Sequence, residues 1–153
     1  MLIIISDIIT LMSWLTFALL TIVFYSLFDF LVKLSSSRIH GGLAAFIMNI
    51  VSAVVVLIYL IFLASKGEKV IDIKQNGLLF STLAGLAIGL ASIFFVKMFA
   101  TGTNLSIGVP LIRIGIVLFT SVLGVLLLKE TINLKYLVGF ILASIGLYLI
   151  ITK

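Results

Sequence analysis

Residues 105–128 read LSIGVPLIRIGIVLFTSVLGVLLL, an almost wholly apolar run that carries Pro110, the sole proline of the chain, and Arg113, its one charged residue. A helix needs about 20 apolar residues to cross the hydrocarbon core of a bilayer, so this run is long enough to span one. An arginine placed near the bilayer centre costs at least about 2.5 kcal/mol, so Arg113 is expected to face protein, water or a counter-charge. Pro110 withholds a backbone N–H and frees a carbonyl one turn earlier, which lipid cannot satisfy but a neighbouring helix or a wet cavity can. Both residues predict that this helix lines an interior.

The composition around this run points the same way. Of 153 residues, 63% are hydrophobic and 10% charged, and the mean hydropathy is +1.47. No water-soluble core hides that much apolar surface, so the chain is expected to be an all-α integral membrane bundle. At about 20 residues per span the length allows about five helices joined by short loops, with no soluble domain. There is no cysteine, one histidine and five carboxylates. Thiolate chemistry is excluded and few metal ligands remain, so neither a catalytic role, a cofactor nor a metal is expected. The formal charge of +5 comes from basic residues set singly near helix ends. They read as membrane-surface anchors, and no nucleic acid is expected as a partner.

Five spans are predicted over residues 8–32, 42–64, 78–100, 105–128 and 136–151. The N-terminal MLIIISDII lacks the basic n-region and cleavage site of a secretory signal and is expected to continue into the first helix. That helix places Trp14, Ala18, Thr21, Tyr25 and Asp29 at steps of three or four, the most polar stripe in the chain. Lys33 closes it. In the second run Asn49 and Ser52 share a face, and residues 65–77 hold Lys66, Glu68, Lys69, Asp72 and Lys74 and must lie in water. The third run spaces Ser81, Gly85 and Gly89 by four, the fifth carries Gly139, Ala143 and Gly146, and both stripes predict close helix contacts.

The charge pattern gives little orientation. One side of a five-span chain would carry Lys66, Lys69, Lys74, Lys129 and Lys135, and the other Lys33, Arg38, Lys153 and, if it reaches the interface, Lys97. Orientation follows the lysine and arginine bias of short loops, and this bias is slight. Insertion in both directions is compatible with it.

Taken together, Ser106 ahead of Pro110, the long apolar helix, Leu127-x-x-Glu130, the short polar connector and the Gly139 to Gly146 spacing form a recognisable pattern. It resembles the C-terminal half of an EamA-type repeat of the drug/metabolite transporter superfamily. Tyr25, Ser26 and Lys33 on the first helix fit the same pattern, which covers the chain as one five-helix repeat, whereas Arg113 has no counterpart in it. The resemblance implies half of a ten-helix inverted-repeat transporter, moving a small metabolite or drug-like solute across the cell (plasma) membrane by alternating access. Because a single repeat lacks its second half, the resemblance also implies an antiparallel homodimer or a similar half-size partner, with the substrate between them.

Candidate substrate-binding residues follow from chemistry in the bilayer. Arg113 reads either as a ligand or counter-charge in a cavity or as an arginine snorkelling to the interface. Asp29 and Lys33, four apart, read either as an interfacial ion pair or as a coupling pair in which Asp29, alternately exposed, carries a proton. Tyr25, Trp14 and Asn49 supply stacking and hydrogen bonds, although tryptophan also favours the interface on its own account. Lys97 reads as an anchor, and Glu130 as a loop or helix-end residue. The alternative to transport is a non-transporting membrane subunit that packs beside a larger partner through its small-residue stripes.

Overall fold

A computed structural model describes the backbone of residues 2–152 and the side chains of residues 14–152. The regular structure of these residues is entirely α-helical. In order, the helices are α1 (Leu2–Ser36), α2 (Gly41–Ser65), α3 (Gly77–Ala100), α4 (Leu105–Leu128) and α5 (Leu134–Ile151). All five are long and apolar enough to cross a membrane, α1 over its Trp14–Ser36 portion. The N-terminal residues expected to continue into the first helix are helical from Leu2; Met1 lies outside the described residues.

Helix ends are set by local chemistry, which accounts for the differences from the sequence-based bounds. Helix α1 runs four residues past its predicted end at residue 32, to Ser36. There Ser35 Oγ donates to the Val32 carbonyl at 3.0 Å and Ser36 Oγ to the Lys33 carbonyl at 2.9 Å, so the last turn satisfies its own acceptors. Helix α5 begins at Leu134, two residues before the predicted Tyr136, because Asn133 caps it, its side chain accepting the Tyr136 N–H at 2.8 Å. At the start of α2, His40 Nδ1 accepts from the Gly42 N–H at 3.2 Å. Gly67 and Gly102, at φ 81° and 93°, follow the ends of α2 and α3 in the left-handed conformation that halts a helix and suits glycine. Lys129 performs the same turn after α4 at φ 55°.

The chain forms two compact units, Met1–Lys97 and Met98–Lys153. In the first, α1 packs on α2, and Val32, Ala44, Ala45 and Val96 are buried. The start of α2 also lies against α3: a Cβ on Gly41 would stand 3.4 Å from Val96 Cγ1, at van der Waals contact. In the second unit α4 packs on α5. A Cβ on Gly108 would stand 2.7 Å from Met98 Cε and 3.1 Å from Thr103 Cγ2, so the start of α4 lies tightly against the turn before it.

Most of each span stays uncovered by the chain itself. Residues 50–62 of α2 are all exposed, as are Phe80, Leu83, Leu86 and Leu90 of α3. Lipid tails are as apolar as leucine, so such faces cost nothing in a bilayer and would be untenable in water. Among the described residues, the close helix contacts expected at Gly85, Gly89, Gly139 and Gly146 are not made: none of their atoms lies within 4 Å of a Cβ built on any of the four. In the second unit, the α4–α5 contact instead involves side chains such as Ser121 and Tyr136.

Candidate functional site

In the first unit, polar groups collect where the C-terminal half of α1 meets the start of α2 and the end of α3. The stripe on α1 changes character along its length. Trp14 is 53% exposed and Tyr25 47%, whereas Asp29, on the same face, is only 4% exposed. Thr21 Oγ1 donates to the Phe17 carbonyl at 2.8 Å and so returns to its own helix. Lys33, one turn beyond Asp29, is half-buried. A carboxylate withdrawn from solvent inside an apolar span is held there by its surroundings against a large desolvation cost.

In the same unit, α2 and α3 are tied by a relay. Asn49 Nδ2 donates to the Ala45 carbonyl at 2.7 Å and to Ser92 Oγ at 2.8 Å, and Ser92 Oγ in turn donates to the Gly89 carbonyl at 2.8 Å. Both amide hydrogens of Asn49 and the single hydroxyl hydrogen of Ser92 are thereby used. An aromatic group adjoins it. Phe28 stacks on Phe95 with centroids 6.0 Å apart and rings 10° from parallel, and meets Tyr25 edge-on at 6.3 Å.

Of the residues picked out from sequence, Tyr25, Asp29, Lys33 and Asn49 lie in this part of the first unit. Trp14 belongs to the same face of α1 but stands 15 residues from Asp29, about 22 Å along the helix at 1.5 Å per residue. Arg113 belongs to the second unit, half-buried on α4 one turn after the half-buried Pro110. Lys97 is exposed, and its Cγ would lie 3.8 Å from a Cβ on Gly41, the posture of an anchor with a packed stem and a free head.

The second unit holds a groove that the sequence reading left out. Its volume is about 540 Å³, and its wall includes Thr120, Ser121, Gly124, Leu127, Glu130 and Tyr136. Lys129 turns the chain at the end of α4, and the backbone N–H groups of Lys129 and Glu130 both bond the Gly124 carbonyl. That reversal folds Glu130 back onto the helix. Its Oε2 would stand 2.5 Å from a Cβ on Gly124, so the carboxylate occupies space that only glycine leaves open. Ser121 Oγ donates to the Val117 carbonyl at 2.6 Å and shares a hydrogen bond with the Tyr136 hydroxyl. The only hydroxyl hydrogen of Ser121 is committed to Val117, so Tyr136 is the donor of the shared bond. The signal in the sequence was Leu-x-x-Glu after a glycine. Gly124 and Glu130 are six apart, however, a spacing that no helical face brings together.

No protein-family model, curated protein or solved structure matches the chain.

Proposed function

We propose that the chain is one half of a secondary transporter that moves a small metabolite or drug-like solute across the cell membrane. It works by alternating access as an antiparallel dimer, either of two copies or with a similar half-size partner. The observation that carries this reading is the burial of Asp29, 4% exposed, in a span whose other faces are apolar and open to lipid. Intramembrane ionisable groups are costly, and their usual use is in ion and substrate pathways. The relay through Asn49 and Ser92 adds hydrogen-bonding side chains to the same unit, and the packed rings of Phe28 and Phe95 add an apolar wall, the mixture that small-molecule sites use. With no nucleotide-binding motif in the sequence, the driving force is a proton or solute gradient, and Asp29 is the group that carries the proton. No catalytic step enters this reading.

The test is uptake into proteoliposomes under an imposed pH gradient, with labelled amino acids, sugars and lipophilic amines as probes. Wild type is expected to accumulate at least one class, and Asp29→Asn to lose the dependence on the gradient at equal membrane abundance. Accumulation by Asp29→Asn that still follows the gradient removes Asp29 from coupling.

One observation favours a second reading, in which the chain is a non-transporting subunit beside a larger membrane partner. Among the described residues nothing lies within 4 Å of the Cβ positions of Gly85 and Gly89 on α3, a small-residue spacing that suits the close approach of another helix. Isolation of the chain in a stable complex with a larger membrane protein, with no uptake of any probe by the chain alone, would select this reading.

A further inference from the structure

The groove in the second unit is built of acceptors. The Thr120 hydroxyl hydrogen goes to the Ile116 and Val117 carbonyls at 2.8 and 3.3 Å, that of Ser121 to Val117, and that of Tyr136 to Ser121. What these groups still present to the groove is oxygen lone pairs. Among the described residues Glu130 has no ion-pair or side-chain hydrogen-bond partner, and neither Lys129 nor Lys135, its neighbours in the sequence, is paired with it. The carboxylate also stands at the C-terminal end of α4, where the helix carries partial negative charge. The polar wall of the groove therefore suits a cation that brings several N–H donors.

A second groove adjoins the first and shares Ser121 and Tyr136 with it. Its volume is about 210 Å³, and apart from those two residues its wall is apolar, including Val125, Ile132, Leu137 and Phe140. A ligand fitting both has a cationic head with several donors and an apolar tail.

We propose that the two grooves form one binding site for the primary ammonium group of an amphiphile. The head, with three N–H donors, sits on the Glu130 carboxylate and the Thr120 and Tyr136 oxygens, and the tail runs between α4 and α5 over Val125 and Phe140. A free long-chain amine and the ethanolamine head of a phospholipid share this chemistry. The inference does not rest on the transport reading.

The test uses the full chain in a neutral maltoside detergent, with dodecylamine as the probe and adducts counted by native mass spectrometry. Wild type is expected to take up one dodecylamine saturably, with dodecanol failing to compete. Removing the charge with Glu130→Gln is expected to weaken binding about ten-fold or more, the scale of one charge-assisted hydrogen bond. Gly124→Ala keeps the charge but places a methyl group where the carboxylate sits, and is expected to weaken binding by a smaller factor. It stands as an independent reading should Glu130→Gln fail to fold. Glu68→Gln, in the connector before α3, is expected to bind as wild type. Competition between phosphatidylethanolamine and dodecylamine would assign the natural ligand to the lipid; binding of dodecylamine alone would assign it to a free amine. Equal binding by wild type, Glu130→Gln and Gly124→Ala, or an equal adduct with dodecanol, would overturn the proposal.

Discussion

Asn49 on α2 and Ser92 on α3 are joined by a 2.8 Å hydrogen bond, 43 residues apart in the chain, and the same amide nitrogen also holds the Ala45 carbonyl. In a membrane, where the helices gain no hydrophobic drive toward each other, such a bond is one of the few contacts that fix the register of two spans. Replacing Asn49 with leucine, which removes both donors, is expected to destabilise the fold by about 0.6 kcal/mol and at most about 1.7 kcal/mol. Reversible unfolding in mixed micelles checks this, and an unchanged midpoint would mean that the bond does not hold the two helices.

Phe28 and Phe95 lie with their rings nearly parallel at 6.0 Å, tying α1 to α3 beside the buried Asp29. A double-mutant cycle with Phe28→Leu and Phe95→Leu is expected to give a coupling of about 0.5–1.5 kcal/mol. Additive effects of the two substitutions would show that the rings merely fill space.

The cap at Asn133 fixes where α5 begins. Asn133→Ala removes the bond to the Tyr136 N–H and is expected to cost about 1 kcal/mol. Hydrogen exchange should show faster exchange at the amides of Tyr136 and Leu137, with the middle of α5 unchanged. Unaltered protection at the start of the helix would contradict the assignment.

Arg113 bears on the transport reading directly. If it serves the substrate pathway, Arg113→Leu is expected to abolish uptake in proteoliposomes while leaving membrane abundance at the wild-type level. Undiminished uptake by Arg113→Leu would return the residue to a snorkelling role.

The five spans were legible because hydropathy alone selects them. The bounds of α4, Leu105–Leu128, were read correctly because polar Asn104 and Lys129 flank a run that is almost wholly apolar. The last turn of α1 was missed because Lys33 looks like a terminus, while the serines after it cap their own helix. On α1 the stripe from Trp14 to Asp29 was visible as a period, but periodicity carries no measure of depth. It could not show that Asp29 is buried while Trp14 and Tyr25 are half exposed. The partnership of Asn49 with Ser92 joins two helices and leaves no local pattern. The groove at Glu130 depends on a left-handed turn at a lysine, a conformation that non-glycine residues adopt rarely and composition does not announce.

The proposed antiparallel dimer of half-size transporters is tested most directly by the orientation of the chain in its membrane. The sequence has no cysteine, so a single cysteine introduced by Glu68→Cys, in the exposed connector between α2 and α3, reports which side that connector occupies. Intact cells are treated with a membrane-impermeant maleimide and then opened and treated again. If the chain pairs with an inverted copy of itself, about half of the molecules should label before opening and the rest only afterwards, as equal populations of the two orientations require. Labelling that is complete before opening, or absent until then, would show a single orientation and contradict the homodimer of inverted copies.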